Sequence, residues 1–254
     1  MAFRRADAFA NRLRVMSDPS RIGALSIREL VRYYRPRAVL TRQLNTRYWG
    51  LPPSFFTSSV RIVDAGGGPQ DALKAKRLFG QCWYEGINIE ALPESSRASG
   101  GYDRYHLVDL DETDLSFLPD RSYDLVVSSH TIEHLKDGQA VVARLCAKVR
   151  PGGLLYLEWP SLESITFPIR GRGLRFDDDG THRHAYGLDQ IRALVARQGL
   201  HVEFARRRRQ WLRMLLAPFL IVYHSVRFQR LVLYDLWDLT GFCYTLRAAQ
   251  PIEG

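Results

Sequence analysis

Residues 60–71, VRIVDAGGGPQD, limit what this chain can fold into more than any other stretch. Val60 to Val63 have the β-branched, apolar character of a buried parallel strand, and the run stops at Asp64 shortly before Gly66, Gly67 and Gly68. A strand that ends on a glycine turn and leads into a helix, expected here over 70–78, gathers backbone N–H groups and a helix N-terminus at one point with no side chains in the way. Such a point suits a ligand. A dinucleotide fingerprint needs a third glycine where Asp71 stands, so NAD is the weaker expectation.

Further strands are expected at 82–89, 106–110, 123–129, 154–159 and 201–205, with helices at 139–149 and 188–198. Their alternation through short turns predicts an α/β, Rossmann-like doubly wound parallel sheet with helices on both faces. The domain is expected over 58–250, behind an Arg-rich helical extension over 1–57. In that extension Ser26 and Glu29 form a capping box for a helix over 26–34, and Tyr48, Trp49 and Leu51 anchor the boundary before Pro52 and Pro53. A long unpatterned loop at 160–186 leaves the fifth strand, where open α/β sheets place ligands, and reads as a lid.

Four stretches stand in the order found in class I S-adenosylmethionine (SAM) dependent methyltransferases, and the chain resembles that family over about 58–205. Asp64, Gly66 and Gly68 match its first motif. Ser122-Tyr123-Asp124 leads into the fourth strand, Ile132-Glu133-His134-Leu135 follows it, and Arg150-Pro151-Gly152-Gly153 precedes the fifth. The resemblance implies an antiparallel last strand, for which 241–248 is available, and SAM as cofactor. It places Asp64, Ala65, Gly66, Gly67 and Gly68 around the amino-acid tail, Asn88, Ile89 and Glu90 at the ribose, Asp109 and Leu110 at the adenine, and Ser128 beside them. The family has an acid where Asn88 stands, so the ribose loses a charge-assisted bond there.

The resemblance implies an acceptor above the fourth and fifth strands. His130 is the first choice as base or acceptor-orienting group, with Glu133 and His182 beside it; Glu158, Asp177, Asp178, Asp179 and His184 are further candidates. His134 reads as a histidine that fixes its turn. The loop's carboxylates and imidazoles suit a divalent ion, but adjacent aspartates near arginines favour capping and pairing, so no metal site is expected.

The net charge of +9 sits at the ends: residues 1–50 hold 11 basic against 3 acidic side chains, 51–200 hold 17 against 20, and the rest 8 against 4. Basic ends suit RNA or anionic lipid as well as a solvated surface. An insertion at 206–237 begins with four arginines and continues QWLRMLLAPFLIVY, too short to span a bilayer and broken by Pro218. Packing as core, lid or dimer interface is favoured over membrane contact. Three scattered cysteines argue for reduced thiols. The expected function is methyl transfer to an oxygen of a small molecule or of a glycan or lipid-linked intermediate, in a cytoplasmic protein, with a peripheral position on an inner membrane face and a homodimer left open. The alternatives are an RNA methyltransferase using the basic termini and an inactive scaffold of the same fold; DNA is not an expected partner.

Overall fold

Along each central strand successive side chains are buried on opposite faces, so both faces of the sheet need cover. The computed structural model describes residues 45–252, save 49, 53, 58, 80, 99 and 172. The helix expected over 26–34 and the anchor residues Trp49 and Pro53 lie outside the described residues.

Seven strands are described: β1 (Ser59–Ala65), β2 (Gln81–Asn88), β3 (Arg104–Leu107), β4 (Tyr123–Ser129), β5 (Val149–Pro160), β6 (His201–Arg207) and β7 (Cys243–Ala249). They form one sheet in the order β3-β2-β1-β4-β5-β7-β6. The first five are parallel, and β7 runs antiparallel between β5 and β6. The described residues also form helices α1 (Ser54–Thr57), α2 (Asp71–Leu78), α3 (Glu94–Ala98), α4 (Gly138–Lys148), α5 (Leu188–Arg197), α6 (Trp211–Phe228) and α7 (Trp237–Thr240).

Val63, Val126, Leu155 and Leu157 face a core closed by Val142 and Leu145 of α4 and Ile191 and Val195 of α5. Ile62, Leu125, Val127 and Leu154 face a second core with Ala72 and Ala75 of α2. Tyr48, Leu51, Phe55 and Phe56 pack into that second core, so residues expected in an extension belong to the domain's packing. Asp137 starts α4 by accepting the Ala140 amide at 2.9 Å.

Two expectations shift. The Arg-Pro-Gly-Gly segment lies inside β5 as an irregularity in its register with β4; Gly152 has φ +72°, and a Cβ at Gly153 would fall 2.7 Å from the Tyr123 carbonyl. The third strand ends at Leu107, so Asp109 stands beyond it.

Strand order reverses between β1 and β4, the place where doubly wound sheets open a crevice at their carboxyl ends. The glycine loop leaves β1 there. Thr131, after β4, donates to the Ala65 carbonyl at 3.1 Å and closes the floor.

Candidate active site

The loop after β1 is built from close approaches that only glycine allows. Gly66 has φ +83°, and a Cβ there would fall on the Thr131 hydroxyl. One at Gly67 would stand 2.8 Å from Asp64 Oδ2. Asn88 Nδ2 donates to the Gly67 carbonyl at 3.2 Å, the Tyr102 hydroxyl to the Gly68 carbonyl at 2.6 Å, and Gly68 N–H to Asp71 Oδ2 at 3.0 Å. The loop is therefore fixed from both sides.

Asp64 is fully buried. Its Oδ2 accepts from the Tyr84 hydroxyl at 2.6 Å and from Arg47 Nη1 at 3.1 Å, while Oδ1 has no partner. Burial lifts the Asp64 carboxyl above its usual range, against the pull of Arg47. Arg47 also meets Asp71 at 2.9 Å; burial opposes the Asp71 carboxylate, yet Arg47 and Lys74 hold it below its usual range. Arg47, Tyr84 and Tyr102 escape sequence reading because they join the loop from 17, 20 and 34 residues away, in no motif.

At the neighbouring strand ends, Asn88 Oδ1 accepts the Glu90 amide at 3.1 Å, so the Asn88 side chain is engaged on backbone at both ends. Ile89 and Glu90 are exposed, Leu110 and Ser128 buried, and Ser128 Oγ has no partner. Asp109 Oδ1 accepts the Asp111 amide at 2.9 Å, which turns the chain at the end of the crevice.

His130 follows β4 with φ +52°, in the left-handed region that few residues other than glycine adopt. Its ring lies between two carboxylates: Nδ1 is 3.2 Å from Glu133 Oε1 and Nε2 is 3.2 Å from Glu158 Oε1, with Cys243 Sγ 3.5 Å from Nε2 and the Trp237 ring at 5.0 Å. Carboxylates only accept, so both ring nitrogens donate and the ring is an imidazolium. Burial opposes that charge, but Cys243 and the two glutamates raise the His130 pKa well above its ordinary value. Of the two roles expected for His130, base or acceptor-orienting group, a ring held between two carboxylates suits the second.

Glu158 also accepts from the Tyr156 hydroxyl at 2.6 Å and from Arg208 at 2.8 Å, and despite burial these partners and His130 hold its carboxyl well below the usual range. Glu133 is fully buried, and its Oε2 has no partner. The loop after β5 docks against it: the Arg183 and His184 amides donate to the Glu133 carbonyl at 2.8 and 3.1 Å. His182 Nε2 reaches 4.0 Å from Glu133 Oε1. Asp177 instead pairs with Arg175, Asp178 accepts the Gly171, Leu174 and Arg175 amides, and the exposed His184 ring packs at 6.1 Å from Tyr186. His130, Glu133, Glu158 and His182 thus come together, whereas Asp177, Asp178 and His184 stay outside.

A family model described as a methyltransferase domain matches residues 25–203, well over half of the sequence. The chain belongs to this methyltransferase family. Solved structures agree on the fold. A structure of the Haloferax volcanii Trm112 methyltransferase activator with a methyltransferase matches at TM-score 0.59 and 15% identity, over 90% of this chain and 99% of that one. A SAM-dependent methyltransferase from Mesorhizobium loti matches at TM-score 0.57 and 16% identity, over 86% and 98%. Phosphoethanolamine N-methyltransferase 2 of Haemonchus contortus, solved with SAM bound, matches at TM-score 0.56 and 16% identity, over 90% and 61%. No curated protein sequence matches the chain.

The methyltransferase takes SAM as its cofactor, and the crevice residues fit that group. Asp64 Oδ1 is an acceptor without a donor, the three glycines carry no side chain of their own, and Arg47 brings a cation to the same point.

Proposed function

We propose that this methyltransferase moves a methyl group from SAM to an oxygen of an acceptor carried at an anionic membrane surface, such as a lipid-linked intermediate. SAM supplies an activated methyl on a sulfonium, so the protein's work is alignment and the removal of one proton. In this reading Asp64, Ala65 and Gly66 to Gly68 hold the amino-acid tail with Arg47 opposite its carboxylate. Asn88, Ile89 and Glu90 border the ribose, Asp109 and Leu110 the purine, and Ser128 the floor. His130 orients the acceptor, and Glu133 stands beside it as the carboxylate that takes a hydroxyl's hydrogen bond. Ser128-Ser129-His130 occupy the place where nucleobase amino methylation uses an Asn-Pro-Pro-aromatic tetrapeptide, which favours oxygen.

The observation that carries the membrane part is the outer face of α6. Trp211, Leu215, Phe219, Val222 and Val226 recur at helical spacing and are 67, 66, 75, 63 and 75% exposed. Of the core, lid and dimer packing expected for that segment, core packing does not account for this exposed face. Arg206, Arg207 and Arg209 precede the stripe and Arg227 and Arg230 follow it, all on the surface. The stripe and its basic flanks together match the hydrocarbon boundary and the anionic headgroups of an inner leaflet. Among the described residues no helix is long and apolar enough to cross a membrane, which agrees with a helix lying in the surface.

Sedimentation with lipid vesicles tests this. The full chain is expected to pellet with phosphatidylglycerol-containing vesicles, much less with pure phosphatidylcholine, and hardly at all as Phe219→Glu. Equal recovery in the supernatant with either lipid overturns the membrane reading, as does a homodimer that Phe219→Glu dissociates. An acceptor screen with labelled methyl donor should then place product in the lipid-extractable fraction.

A further inference from the structure

Three side chains, two just after β4 and one in the loop after β5, gather their ligand atoms at one place. One oxygen of Glu133 and one nitrogen each of His134 and His182 lie within 4.8 Å of one another. Hydrogen-bond bookkeeping shows which ring nitrogens are available. His182 Nδ1 is 2.6 Å from the Phe176 carbonyl, which only accepts, so Nδ1 carries the hydrogen and the neutral ring keeps a lone pair on Nε2. That Nε2 has carboxylate oxygens of Glu133 and Asp179 at 4.0 Å each. Thr181 donates its one hydroxyl hydrogen to Asp179 at 2.6 Å, so it accepts from His134 Nδ1 at 2.8 Å and leaves His134 Nε2 with a lone pair. The two rings pack with centroids 4.7 Å apart. The His182 imidazole is thus oriented through its far nitrogen, as metal-binding histidines are. Glu133 adds a fully buried carboxylate whose Oε1 lies 4.0 Å from His182 Nε2 and 3.2 Å from His130 Nδ1.

We propose that Glu133, His134 and His182 bind a first-row divalent ion of the zinc class, with Asp179 at the open edge of the site. Two imidazole nitrogens and a carboxylate oxygen are the donors that such ions take in preference to Mg²⁺ or Ca²⁺. Bonds of about 2.0–2.2 Å place ligand atoms roughly 3–3.5 Å apart, so the observed spacing closes by small side-chain movements. The ion fastens the loop after β5 to the end of β4, next to His130 through Glu133 Oε1. Of the loop residues that sequence reading weighed as ligands, Asp177 to Asp179, His182 and His184, Asp177 and Asp178 are occupied by arginine and by backbone amides and His184 lies outside the cluster, so only His182 and Asp179 reach the site.

The test uses the untagged full chain after chelator dialysis, titrated with Zn²⁺ and separately with Mg²⁺. Saturable binding of one Zn²⁺ per chain with a raised melting temperature is expected, with no comparable response to Mg²⁺. His182→Ala and His134→Ala should weaken Zn²⁺ binding at least tenfold, while His184→Ala, in the same loop but outside the cluster, leaves it unchanged. Unsaturable binding, full affinity in His182→Ala, or loss in Cys243→Ser alone overturns the assignment, the last by placing the ion between His130, Glu158 and Cys243. SAM binding measured in the same variants keeps the two readings apart: failure of Zn²⁺ binding with intact SAM binding rejects the ion and leaves the methyltransferase site standing.

Discussion

Asp64→Ala is expected to weaken SAM binding about a hundredfold and to lower the melting temperature by roughly ten degrees. The binding loss follows from removing a buried, acceptor-only group whose Oδ1 awaits a donor; a charge-assisted hydrogen bond lost together with the loop geometry it supports reaches about 3 kcal/mol. The stability loss has a separate origin. Among the described residues Arg47 would keep only Asp71 as an ionic partner, and the Tyr84 hydroxyl would lose its acceptor in the second core. Breaking a buried pair from one side costs about 3–5 kcal/mol, and each kcal/mol is worth about 2–4 °C in a domain of this size. Calorimetric titration below the variant's transition, with scanning fluorimetry beside it, checks both. A variant that melts early yet binds SAM with wild-type affinity would assign Asp64 a purely structural role.

Asp238→Ala should be the most damaging change far from the crevice, again by about 3–5 kcal/mol. Asp238 is fully buried on α7. It accepts from Arg208 Nε at 3.2 Å, from the Gln210 amide at 3.0 Å and from Arg213 Nε at 3.1 Å. Arg208 goes on to Glu158, and Arg213 to Asp235, which also holds His224 at 2.7 Å. This ionic chain is what fixes the inner face of α6 to the sheet. Without Asp238 two guanidinium groups lose a buried counter-charge, so unfolding by urea should show a lower midpoint, and hydrogen exchange should rise first in α6. Unchanged exchange there would mean that apolar contacts alone hold the helix.

These two residues also mark what the sequence can and cannot convey. The glycine loop is legible because its requirements are local: a buried strand, an acid, and glycines at positions where a Cβ meets Thr131 or Asp64. The fourth strand falls on Tyr123–Ser129 as its apolar run predicts, since every residue in it is buried. The sheet's middle is equally legible from β-branched runs between turns. Arg47 at Asp64, Cys243 at His130 and Asp238 at Arg208 carry no such pattern, because each joins its partner across the fold. His130 shows the cost of that gap: its residue type leaves base and acceptor-orienting group open, and the two carboxylates at its ring nitrogens, which favour its cation, come together only in the fold. Helix α6 runs through Pro218, which the sequence treats as a break. Pro218 lies on the exposed side, and the helix is anchored before and after it by Arg213 and His224.

The placement of SAM on the glycine loop is tested most directly by Gly68→Val in a calorimetric titration with SAM. Within 4 Å a Cβ at Gly68 meets only the Asp71 carboxylate, its Oδ2 at 3.3 Å, so the fold tolerates the side chain while the loop loses its open backbone. The account predicts one SAM bound per wild-type chain and at least a tenfold weaker affinity in Gly68→Val at nearly unchanged melting temperature. Equal affinity in the two proteins would contradict it and move the cofactor away from residues 64–68.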